Sequence, residues 1–129
     1  MANPNIVSVA TILGGNAGWN LSNTVTTTLV TVTAEYILKI NRIVCANVHS
    51  SAAATLNLYV DGMGSGATGV SVTGGATATY LSKIISVPYQ STLVVSDTPI
   101  YLMEGDILKG GASASSALDL FISYETLID

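Results

Sequence analysis

The segment Thr55-Leu56-Asn57-Leu58-Tyr59-Val60-Asp61 alternates between apolar and polar side chains. Successive side chains of an extended strand leave opposite faces. Leu56, Leu58 and Val60 therefore share one side, and Thr55, Asn57 and Asp61 share the other. Leu118-Asp119-Leu120-Phe121-Ile122-Ser123-Tyr124-Glu125 repeats the pattern, with Leu118, Leu120 and Ile122 inward and Asp119, Ser123 and Glu125 outward. These two stretches decide the fold class, because a strand with one apolar face must lay it against a second layer. No window holds a sustained i, i+3, i+4 apolar pattern, and the polar stretches are Thr, Ser and Gly, which are poor helix formers.

Working outward, eight or nine segments read as strands: Ile6–Leu13, Thr24–Val32, Tyr36–Val48, Thr55–Val60, Ala78–Val87, Thr92–Val95, Ile100–Leu102, Ile107–Gly110 and Ala117–Glu125. Turn chemistry separates them. Gly14-Gly15-Asn16 closes the first, His49-Ser50-Ser51 the third, and Pro88, Asp97-Thr98-Pro99 and Glu104-Gly105-Asp106 punctuate the later ones. Tyr36–Val48 is apolar on both faces, with Leu38, Ile40, Val44 and Val48 on one and Ile37, Ile43 and Cys45 on the other. Such a strand is central or meets a partner chain. The expected fold is all-β: one antiparallel β-sandwich domain over residues 1–129, of jelly-roll or immunoglobulin-like type. Residues 1–4 read as an N-terminal arm. Residues 61–79, DGMGSGATGVSVTGGATAT, read as a long glycine-rich loop, either one that orders on assembly or one that stays disordered, or as a glycine-rich hairpin around Val70-Ser71-Val72.

Charged residues make up only 9% of the 129-residue chain, and the formal net charge is −4. An average chain holds about 25%. The four basic residues, Lys39, Arg42, Lys83 and Lys109, are scattered, which argues against a phosphate-tracking stripe and hence against nucleic-acid binding. A surface so poor in charge favours association, and the sandwich edges have few charged gatekeepers, so neighbouring subunits are expected to cover them. The one cysteine, Cys45, forbids an internal disulfide and a cysteine-based zinc cluster. The N-terminus has no basic region of the secretory kind. No run approaches the ~20 apolar residues of a membrane helix, so no membrane partner is expected.

The search for chemistry returns little. His49 reads as a turn histidine, because no nucleophile-elbow motif surrounds any serine beside it. Glu104 and Asp106 read as a solvated turn, and Asp61-Gly62 as a turn signal. Gly62, Gly64 and Gly66 lack the helix and lysine of a phosphate loop. Cys45 reads as an inert buried thiol. No catalytic, cofactor or metal residue emerges, and the expectation is a protein that is not an enzyme. The aromatic residues suit an interface instead: Trp19, Tyr36, Tyr59, Tyr89 and Tyr101 are the candidate contact residues. Trp19 also lies near Asn16 and Asn20 in sequence, which keeps a carbohydrate-binding module as an alternative.

The C-terminal half carries a resemblance. Val87-Pro88-Tyr89-Gln90-Ser91-Thr92-Leu93 leads to Asp97-Thr98-Pro99-Ile100-Tyr101-Leu102. Glu104-Gly105-Asp106-Ile107-Leu108-Lys109 and Leu120-Phe121-Ile122-Ser123-Tyr124-Glu125 follow. With the apolar run ending in Ala46-Asn47-Val48, this series of strands and turns resembles small virion structural proteins of tailed bacteriophages, particularly marine and cyanobacterial ones. The resemblance covers roughly residue 29 onward. It implies a β-sandwich that assembles as a homotrimer or higher ring, with the major capsid protein or other virion proteins as partners. Its place would be the phage particle, after synthesis in the host bacterial cytoplasm. A capsid decoration or cement role is the expected one, with a tail, neck or fibre component as the neighbouring possibility.

Overall fold

The computed structural model describes residues 11–62 and 78–128. Among these residues nine strands succeed one another: β1 (Thr11–Asn20), β2 (Thr28–Thr31), β3 (Tyr36–Asn47), β4 (Ala54–Asp61), β5 (Ala78–Val87), β6 (Thr92–Ser96), β7 (Ile100–Leu102), β8 (Ile107–Ala112) and β9 (Leu118–Ile128). They form two antiparallel sheets. Sheet A runs β1-β9-β3-β6, with β7 also on β3, and sheet B runs β2-β8-β4-β5. β9 enters between β1 and β3 while β8 enters between β2 and β4. That interleaving is a jelly roll. β6 and β7 pair successive parts of β3 and behave as one strand broken at Asp97-Thr98-Pro99.

The two deciding stretches behave as the alternation requires. Leu56, Leu58 and Val60 of β4 face Leu118, Leu120 and Ile122 of β9 across one buried cluster, joined by Leu38, Ile40, Ile43 and Cys45 from β3 and Leu108 from β8. Asp119 is exposed and Ser123 and Glu125 are half-buried on the other side of β9.

β3 departs from the expected pattern of faces. Its ladder with β9 shifts register between Ile40 and Arg42, which makes Asn41 an extra residue. A bulge of this kind moves every later side chain to the other face. Leu38 and Ile40 before it, and Ile43 and Cys45 after it, therefore all point into the core. Val44 turns outward with Arg42, and Val48 is exposed.

The first strand also continues past its expected end at Leu13. Gly14-Gly15-Asn16 does not turn the chain but lies inside β1, in unbroken register with Glu125, Tyr124 and Ser123. The physical reason is local. A Cβ at Gly15 would lie 2.7 Å from the Tyr124 ring, so glycine there admits an aromatic side chain on the neighbouring strand. Thr24–Val32 contracts to β2, and Ile107–Gly110 extends to Ala112. Gly110 fits between β2 and β4 because a Cβ would collide with the Asn57 carbonyl. Asp61 closes β4 and residues 78 and 79 open β5, so the ends of the expected loop belong to strands. The rest of that loop (63–77), the arm 1–4 and residues 6–10 of the expected first strand lie outside the described residues.

Candidate interaction surface

Among the described residues the sandwich has four edges, and three carry a device that limits pairing. β2 has only four residues and a register shift. β6 and β7 have five and three residues and are interrupted. β5 shifts register twice against β4, carries Lys83, and holds Ile84 at φ 53. Short length, bulges and lysine are the usual protections of an edge. β1 has none of them. It runs ten residues, TILGGNAGWN, with no charge, no proline and no register shift, and among the described residues it pairs with β9 alone.

Beside this edge the two sheets part. A cavity of about 420 Å³ opens between β1 and β2, lined by Trp19, Leu29, Val30, Tyr36, Leu38 and Tyr124 among others. Trp19 and Tyr36 are thus brought together on one groove. Trp19 is a strand residue rather than part of a connection. It points toward the core side, opposite Leu120, with one face still open. Asn16 and Asn20 lie on the opposite face of β1, where the Asn20 amide donates to Asp119 at 2.6 Å. Alternation separates what sequence proximity suggested, and the Trp19, Asn16 and Asn20 platform for a sugar does not form.

The other candidates scatter. Tyr59 lies on the outer face of sheet B, only 6% exposed, with its ring centroid 5.1 Å from that of Tyr80. Lys83 caps Tyr80 from 4.9 Å, and Lys109 bonds Asp61 at 3.0 Å nearby. That bond is the main reason the Asp61 carboxyl is held below its ordinary range and the Lys109 ammonium above its own. Tyr89 stands exposed in the turn after β5. Tyr101, also exposed, faces outward from β7 opposite Lys39.

Sequence reading missed a row on the outer face of sheet A. Gly18, Phe121, Val44 and Val94 are direct partners across β1, β9, β3 and β6. Phe121 is 46% and Val94 44% exposed. The signal was present in Phe121, the lone apolar outward residue between Asp119 and Ser123. Val44 could not be placed without the bulge at Asn41.

Two further groups lie elsewhere than expected. Glu104 and Asp106 are not solvated but buried. Glu104 accepts the Glu35 backbone N–H at 2.9 Å and Asp106 accepts that of Met103 at 2.9 Å. The first partner is 69 positions away, so burial was invisible locally. Burial pushes the Asp106 carboxyl upward, against the Met103 bond that lowers it. His49 is exposed, and its Nδ1 accepts the backbone N–H groups of Ser51 and Ala52 at 3.1 and 3.0 Å, a cap on its own turn. Among the described residues no three His, Cys, Asp or Glu side chains converge as a metal site would need.

No protein-family model matches the chain, and no curated protein does. One solved structure, described as "Bacillus endospore appendages form a novel family of disulfide-linked pili", is similar over 92% of this chain and 88% of the other, at 14% identity and a TM-score of 0.45. A likeness this loose carries neither identity nor function to this chain. Disulfide linkage is said of that protein; the one cysteine here, Cys45, is buried in β3.

Proposed function

We propose that the protein is a non-enzymatic structural subunit that assembles with copies of itself through the free edge of β1. The carrying observation is that edge: ten uncharged residues in unbroken register, beside an apolar groove, while every other edge is protected. Its outer N–H and C=O groups, which meet no second strand among the described residues, form a template for another strand, and Trp19 and Tyr36 offer apolar area to whatever follows it. An edge that pairs with a different surface of the next copy gives trimers or higher rings where the rotation between copies closes, and a filament where it does not. Each contact would gain about 25 cal/mol per Å² of apolar area before the cost of association.

The proposed setting is a phage particle. There the subunit would act as a capsid decoration or cement protein bridging capsid subunits, with a tail, neck or fibre position next. Support for that setting is the resemblance of the segments from Val87 to Glu125 to phage virion proteins. The jelly roll itself hosts many functions and does not select among them.

Light scattering of the purified protein at several concentrations tests the assembly. A mass of several subunits is expected, and a monomer at every concentration would overturn it. Mass spectrometry of purified particles tests the setting, which fails if the protein is absent from them.

A further inference from the structure

Resting on the self-assembly reading, we propose a second contact, made by the outer face of sheet A: two copies pack face to face through the Phe121 row, with Arg42 of each against Asp119 of the other.

The face is ordered in three parallel rows. The central one is Gly18, Phe121, Val44 and Val94. On one side lie Asn20, Asp119, Ala46 and Thr92. On the other lie Asn16, Ser123 and Arg42. An exposed apolar strip is thus flanked by an anion on one side and a cation on the other, each two residues from the strip along its own strand. That spacing is roughly 7 Å of strand to either side.

This arrangement is complementary to itself in one way only. A two-fold axis along the apolar row reverses the strands of the second copy. It sets Phe121 and Val44 against their own row and brings each Arg42 over the Asp119 of the other copy. An axis along the strands would instead oppose Arg42 to Arg42 and Asp119 to Asp119, which like-charge repulsion rejects. Two inner faces of a sandwich lie about 10 Å apart, a gap that an arginine and an aspartate span together.

Both charges are available. Among the described residues Arg42 reaches only Asp97, at 3.8 Å, with side chains 53% and 75% exposed. Such an exposed pair contributes little and exchanges readily. Asp119 accepts only the exposed Asn20 amide among the bonds formed by the described residues. A desolvated, bidentate arginine–carboxylate pair is the stronger alternative for both.

Charge reversal with exchange tests this. Arg42→Asp and Asp119→Arg, each alone, place like charges in both symmetric contacts. Sedimentation velocity is expected to show particle mass falling by half and the association constant by at least tenfold. Mixing the two variants restores attraction in both contacts, and so does the double variant Arg42→Asp/Asp119→Arg, so both should regain the wild-type mass. Recovery in the mixture also shows that the single variants were folded. If wild type associates and the single variants associate equally well, the face contact is overturned and the β1 edge reading stands. The contact is also overturned if the single variants dissociate and neither the mixture nor the double variant recovers. A wild type that is monomeric at every concentration removes both.

Discussion

Asn47 is buried at the end of β3 with every side-chain atom engaged. Its amide donates to the Ala52 carbonyl at 3.0 Å and the Val87 carbonyl at 2.8 Å, and its Oδ1 accepts the His49 N–H at 2.8 Å. Asn47→Leu removes the side-chain partner of three backbone groups. It should cost about 2–4 kcal/mol, read from the urea midpoint. Gly110→Ala should cost about 1–3 kcal/mol, because its Cβ meets the Asn57 carbonyl in the middle of a sheet that cannot spread. Ile84 makes the opposite case. A β-branched residue at φ 53, 64% exposed on β5, is strained while its side chain buries little. Ile84→Gly should therefore stabilise the fold by about 1 kcal/mol, measurable as a higher midpoint. Cys45 gives a pH dependence. Burial, and secondarily Asp119, push its thiol from the usual 9.0 up to about 11. The folded state thus retains a proton that the unfolded chain gives up, so stability falls as pH rises from about 9 to about 11. The loss is on the order of 2–3 kcal/mol. Cys45→Ala, compared with wild type by denaturation across that range, should lack this part of the alkaline decline.

Among the strands, β3 and β1 show where local reading holds and where it stops. Period-two alternation located β4 and β9 because each has one wet face and one dry face. It failed on β3, where an extra residue resets the period and nothing in Lys39-Ile40-Asn41-Arg42 announces it. Deleting Asn41 tests that account. With the extra residue gone, Arg42 follows Ile40 directly, plain alternation keeps Ile43 and Cys45 inward and Val44 outward, and the chain should keep its cooperative unfolding transition; loss of that transition would show that Asn41 is not a surplus residue. β1 was misread for another reason. Glycine usually punctuates, but Gly15 is there to admit the Tyr124 ring from the neighbouring strand. Edge protection is likewise legible only once strand order is known, since it depends on which strands lie outermost. Gly14 has open space around its Cβ position. Gly14→Lys should then leave the monomer's stability within about 0.5 kcal/mol while weakening association at the edge.

At the scale of the molecule, composition and alternation were enough for an all-β sandwich, but two types of it remained open. The order β1-β9-β3-β6 over β2-β8-β4-β5 resolves them, and order is a property of long-range pairing that no single segment encodes. The same held for the surface. Trp19 and Tyr36 converge on one groove, Tyr59, Tyr89 and Tyr101 go to separate places, and the Phe121 row assembles from four strands. Charge poverty pointed to association without saying where.

Trp19 is the one tryptophan in the chain. Its position on β1, half open at the groove, makes it a built-in optical reporter. Excited at wavelengths that tyrosine does not absorb, the protein emits from a single site, and that site is the edge on which subunits are proposed to meet. Closure of the groove by a neighbour should shift the emission to the blue and shield it from iodide. Contact through the Phe121 face, on the other side of sheet A, should leave both unchanged. One unlabelled sample can therefore tell the two contacts apart as they form, and in what order.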